Sequence, residues 1–204
     1  MADDNGAMSV VEATVTVQRT ARRWRDDLRL RKLPVVVCTP SGVFVGDTYR
    51  LEEQRLLDAL NRGFIARALR MAGAFMPLTD VESYSASGKK GRLPSIHVHK
   101  ASILFVGERR SVPETAAGGN RKPQLIRTKT PIGAEIHLPP YILEGNIFVE
   151  TWGQLPEAIE TDTRFLPLTD ARIRPALPGG ESTFSFVAVN REKVLYVSEP
   201  TRQG

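Results

Sequence analysis

The chain carries one cysteine, Cys38, in 204 residues, so no internal disulfide can form and a cysteine-stapled secreted scaffold is excluded. No apolar run approaches the roughly 20 residues that a bilayer crossing needs. The opening residues, MADDNGAMSVVEA, lack the basic-then-apolar order of a secretory signal. There is no Gly-rich phosphate loop, no serine in a nucleophile elbow and no CxxC pair. Wholesale disorder does not fit 41% hydrophobic and 25% charged residues, which is an ordinary globular balance. The expectation is a soluble, cytoplasmic protein without a cofactor, a metal or a membrane-inserted segment.

What the sequence does hold is self-similarity. Phe75–Val81 (FMPLTDV) recurs as Phe165–Ala171 (FLPLTDA), and Ile96–Glu108 (IHVHKASILFVGE) aligns with Val187–Glu199 (VAVNREKVLYVSE). Upstream, Gly46–Leu51 is matched with Gly133–Leu138. Blocks in the same order at nearly constant offset predict two copies, 33–109 and 122–200, joined by a linker over 110–121. Before them the pattern predicts a flexible terminus over 1–16 and a basic helix over 17–32.

Each copy has the texture of a small β module. Val35–Cys38 is a β-branched run that ends in the turn-forming Thr39-Pro40-Ser41-Gly42, and Val43–Tyr49 continues as a second strand. Gly46 in that strand signals a bulge or a close backbone approach. The Phe-x-Pro-Leu-Thr-Asp block reads as a third strand. Its Pro77 or Pro167 is expected at an edge or a strand start, because proline donates nothing to a ladder. The Thr-Asp pair reads as a turn at the strand end. Ile96 and Val98 alternate with His97 and His99, the period of a half-buried strand, and Ile103–Val106 follows after a tight turn. In the first copy, Leu56, Leu60, Phe64 and Ala68 lie on one face of a helical insertion over 52–71. In the second, Pro139-Pro140, Gly145, Gly153 and Pro156 are placed in the equivalent region and preclude a long helix there.

The end of each copy carries a Φ-x-x-x-x-Φ spacing around the tight turn, Val98 to Ile103 and Val189 to Val194, with a glycine ahead of an apolar residue in the second strand. In this each copy resembles an Sm-like module, a small bent five-stranded barrel, with an insertion between strands two and three. The whole repeat also resembles a short bacterial domain family of unknown function. The resemblance implies a mainly β fold with a helical insertion, built as two tandem small Sm-like or SH3-like β-barrel modules. Sm-like RNA binders use an Arg/Lys-Gly pair in the last turn. Here the turn reads His99-Lys100 and Asn190-Arg191, and the Asp/Asn pair of the first loop has no counterpart. Two fused modules of this kind can imitate one another's interface or assemble edge to edge.

The net charge of +5 invites a second reading. Arg22, Arg23 and Arg25 flank Trp24, which could stack on a base, and the GKKGR loop offers Lys89, Lys90 and Arg92. Lys100 and Arg191 in the tight turns complete a candidate nucleic-acid-binding set. Against it, arginine-rich segments commonly solvate a surface or pair with nearby acids such as Asp26 and Asp27. His97 and His99 share a strand face but lack a third metal ligand, and Cys38 lies in an apolar strand without an activating pattern. With no catalytic constellation, the sequence favours a non-enzymatic adaptor or assembly protein that binds a protein partner or itself through strand edges. An RNA- or DNA-binding protein is the alternative.

Overall fold

A computed structural model of the chain describes residues 30–52, 54–62, 73–109, 129–150 and 153–200. Arg22, Arg23, Trp24 and Arg25, the terminus over 1–16 and the linker over 110–121 lie outside the described residues.

The described residues fold as a mainly β protein. Ten strands run β1 Leu30–Thr39, β2 Gly42–Leu51, β3 Phe75–Ser85, β4 Lys90–His99, β5 Phe105–Glu108, β6 Lys129–Leu138, β7 Tyr141–Glu150, β8 Phe165–Arg174, β9 Thr183–Asn190 and β10 Tyr196–Ser198. Helix α1 (Leu56–Arg62) follows β2, and helix α2 (Leu155–Ile159) follows β7. All strands join one sheet in the order β10-β6-β7-β8-β9-β5-β1-β2-β3-β4, every pair antiparallel. The sheet does not close, so β4 and β10 are its edges. The first five strands and the last five pair internally in the same way, and β5 joins β9 across the middle.

β1 shows why the sheet holds together. Leu33, Val35 and Val37 belong to one buried apolar cluster, and Val36 and Cys38 to another. A strand covered on both faces reads as a continuous apolar run rather than an alternating one, and Val35–Cys38 is such a run. The clusters cross the boundary between the halves. Val36, Cys38, Val43, Leu104 and Phe105 pack with the core of the second half, and Phe165 and Ala188 with that of the first. Burial pushes the Cys38 thiol up to about 11, against a smaller pull from its hydrogen bond with Tyr141.

The repeated Thr-Asp pair is a bulge inside a strand, not a turn at its end. Asp80 and Asp170 adopt φ of 53° and 50° in the middle of β3 and β8, a left-handed conformation that Asp tolerates better than most residues. At the same places the pairing with β2 and β7 slips by a residue. Facing each bulge is a glycine: a Cβ on Gly46 would fall 2.9 Å from the Thr79 carbonyl oxygen, and one on Gly145 2.7 Å from that of Thr169. Gly46 therefore marks the close approach that the sequence signals, and its counterpart is Gly145 rather than Gly133. β2 pairing ends at Thr79, one residue past the bulge, so Pro77 has a strand neighbour only on the β4 side.

Other boundaries are corrected. Leu30, Arg31 and Lys32 are in strand β1 rather than at the end of a basic helix, paired with Leu51, Arg50 and Tyr49. Arg31 also bonds Glu52. The described helix of the insertion starts at Leu56, not Glu52, because the Arg50 guanidinium donates to the carbonyls of Leu51, Glu52 and Gln54 and holds them in a turn. Lys90 and Arg92 open strand β4 instead of lying in a loop. Pro139-Pro140 forms the β6–β7 turn, and the equivalent of the helical insertion is the short α2 segment.

Thr48 on β2 is fully buried, with its hydroxyl unpartnered among the described residues. Counting from the bulge glycines, its counterpart is Ile147. Thr48→Val should therefore stabilise the chain by about 1 kcal/mol, since it removes an unsatisfied buried hydroxyl at constant shape. The midpoint of urea unfolding measures it.

Candidate functional site

Strand edges are unpaired rows of N–H and C=O groups, and in soluble proteins they are kept short, charged or covered. The β4 edge is ten residues long, and among its residues Leu93 is exposed; Phe75 at the start of neighbouring β3 is exposed too and meets His99 edge-on at 4.9 Å. The β10 edge is three residues long, with Tyr196 and the preceding Leu195 exposed. The Tyr196 ring stacks on His137 at 3.9 Å, and the His137 Nε2 lies 2.6 Å from Glu135. Arg174 reaches Glu135 and Glu144 from β8.

The 3-10 turns that lead into the last strand of each half are built alike. His99 Nδ1 accepts from the Ala101 N–H, and Asn190 Oδ1 from the Glu192 N–H. Asn190 is fully buried, because its N–H donates to the Leu104 carbonyl and its Nδ2 to that of Ile103. It ties β9 to β5. His99, the counterpart at the β4 edge, is exposed.

Of the basic residues read from the sequence, Lys100 and Arg191 line one cleft, while Lys89, Lys90 and Arg92 are not among its lining residues. Lys90 and Arg92 both pair with Glu82, at 3.3 and 3.0 Å, and Lys90 also lies 5.1 Å above the Tyr84 ring. Hydrogen bonds from Tyr84, Arg92 and Lys90 hold the Glu82 carboxyl below its usual range. Lys89 is exposed in the turn before them, and Arg191 is exposed in the far half. Lys100 is not on the surface: it is buried, its Nζ donating to the carbonyls of Leu60 at 2.8 Å and Ala59 at 3.4 Å in α1. The Φ-x-x-x-x-Φ pattern does not reveal this, because a turn lysine is ordinarily exposed.

Burial, reinforced by the Arg164 charge, pushes the Lys100 ammonium down to about 8. A base with a depressed folded pKa binds its proton less tightly than in the unfolded chain, so stability rises with pH above about 8. Cys38, raised from 9.0 to about 11, works in the opposite direction above pH 9. Stability should therefore climb between pH 8 and 9 and flatten above it. Lys100→Met should abolish the climb and Cys38→Ala should extend it, as read by urea titrations at each pH.

A cleft of about 790 Å³ lies between α1 and the α2–β8 segment, with walls from both halves. Asp58, Asn61, Lys129, Glu157, Arg164 and Glu192 are among its lining residues, which include neither His nor Cys. Arg164 pairs with Glu192 at 3.0 Å, and Asn61 bonds the Phe165 backbone twice. The Asn61 bonds tie the first half to the second, and Lys100, Arg164 and Arg191 stand in the same cleft. Among the described residues, no three His, Cys, Asp or Glu side chains gather as a metal site, and no helix is long and apolar enough to cross a membrane.

Comparison of the chain with protein-family models, curated proteins and solved structures gave no match.

Proposed function

We propose that this chain is a non-enzymatic assembly protein: two bent Sm-like β modules, fused in tandem, that engage a protein partner through strand edges. The observation that carries the reading is the pair of open edges, β4 and β10, each flanked by exposed large apolar side chains. The repeated order of pairing supports the two-module description, and the helix between β2 and β3 falls where the Sm-like resemblance puts an insertion. The nucleic-acid alternative draws less support, since Lys90 and Arg92 are paired with Glu82 and Lys100 is buried. Light scattering on a sizing column, with affinity capture by the full chain, tests the proposal. A strict monomer that captures nothing defeats it. Salt-sensitive binding of RNA or DNA, lost on changing Arg22, Arg23 and Arg25 to Ala, would replace it.

A further inference from the structure

The contact between the halves shows what the free edges fit. Matching the halves strand by strand, Leu104 and Phe105 correspond to Leu195 and Tyr196, and Phe165 and Phe184 to Phe75 and Leu93. The first member of each pair is buried by the β5–β9 junction, to between 0% and 6% exposure. The second members stand at the two ends of the sheet, exposed at 68% and 50% (Leu195, Tyr196) and 43% and 42% (Phe75, Leu93). Besides Leu51 and Phe148, the large apolar side chains left open among the described residues are thus the counterparts of those that the internal junction covers, half on one end and half on the other. We propose that the chain assembles head to tail with copies of itself, β10 of one copy pairing antiparallel with β4 of the next in the register of the β5–β9 junction. This rests on the edge-binding reading above and names its partner.

The register follows from the internal pairs Phe105↔Val189, Val106↔Ala188 and Gly107↔Val187. It sets Tyr196 across from Val98, Val197 across from His97 and Ser198 across from Ile96 of the next copy. Sizes compensate. At the junction the Phe184 ring leaves no room for a Cβ on Gly107, which would fall 2.7 Å from it. At the ends the glycine is replaced by Ser198 and the phenylalanine by the smaller Leu93. The polar tie is conserved in kind. Asn190 Nδ2 donates to the Ile103 carbonyl. Because Nδ1 of His99 already accepts from Ala101, a neutral ring carries its proton on Nε2 and offers a donor to the equivalent Val194 carbonyl. Glu135 and His137 stand where Val36 and Cys38 stand inside, so the end face is wettable in the free chain and the contact weaker than the internal one. The two surfaces differ, so the contact is heterologous and does not stop at a dimer.

Sedimentation velocity of the full chain from about 1 to 100 µM is expected to show species larger than a dimer that grow with concentration. Ladder alternation turns the amides of His97 and Val197 outward, so His97→Pro and Val197→Pro each block one edge without removing an internal bond. Each variant alone should associate at least about 100-fold more weakly, and an equimolar mixture should form a 1:1 dimer and nothing larger. A Ser198→Cys, Ile96→Cys double variant should give a disulfide-linked ladder on a non-reducing gel, while each single variant gives none. This second readout decides the matter if a proline variant fails to fold. A wild-type chain that stays monomeric, a proline variant that still dimerises alone, or a ladder from one cysteine would overturn the proposal. If the monomer nevertheless captures another protein, and His97→Pro or Val197→Pro loses it, the edge-binding reading survives without self-assembly. If it captures none, both fall.

Discussion

Phe165→Ala should cost about 3–5 kcal/mol, while Phe75→Ala, in the same FxPLTD motif, costs under about 1 kcal/mol in the isolated chain. The sequence gives no reason for the difference; the surroundings do. The Phe165 ring is fully buried in a cluster whose other members, Ala188 apart, come from the other half, Leu33, Val35 and Leu60 among them. Its backbone is clamped by Asn61, whose Oδ1 accepts from the Phe165 N–H at 2.9 Å and whose Nδ2 donates to its carbonyl at 3.0 Å. Truncation leaves a cavity that this rigid frame cannot close. The Phe75 ring is 43% exposed and packs T-shaped against the His99 ring. Urea unfolding of dilute protein should therefore separate the two variants by at least about 2 kcal/mol. Equal losses would mean that the halves do not share their cores.

This asymmetry also marks the reach of sequence reasoning. The strands were legible because short apolar runs alternate or lie between turn residues: Val35–Cys38, Ile96–Val98 and the FxPLTD blocks all fall in strands. The FxPLTD motif was visible but misassigned, since a left-handed Asp reads the same in a turn and in a bulge. The upstream match failed for a different reason. Gly46 corresponds to Gly145, twelve residues beyond Gly133, and an even shift preserves the two-residue alternation, so periodicity could not reject it. The basic cluster misled because the partner of Lys90 and Arg92, Glu82, comes from the strand before, and Lys100 finds its carbonyls some 40 residues away. Pairing across the halves was beyond sequence altogether: nothing in FVGE or VAVN says that β5 lies beside β9.

That pairing joins the two halves through only three residues of ladder. Asn190 donates its N–H to the Leu104 carbonyl, and antiparallel bonds alternate, so the Val106 N–H points to Ala188 while those of Phe105 and Gly107 point to β1. Val106→Pro deletes the central bond of a three-residue ladder and wedges a ring into a strand with neighbours on both sides. It also removes a fully buried Val from the cluster shared with Phe165 and Ala188. The expected loss is at least about 4 kcal/mol, against about 2 kcal/mol for Val106→Ala, which keeps the bond. Wild type should unfold in a single transition, because each core borrows side chains from the other half. In Val106→Pro that transition should shift to lower urea or split into two. An unfolding curve that overlays the alanine variant would show that the β5–β9 ladder carries no stability of its own and that side-chain burial alone holds the halves together.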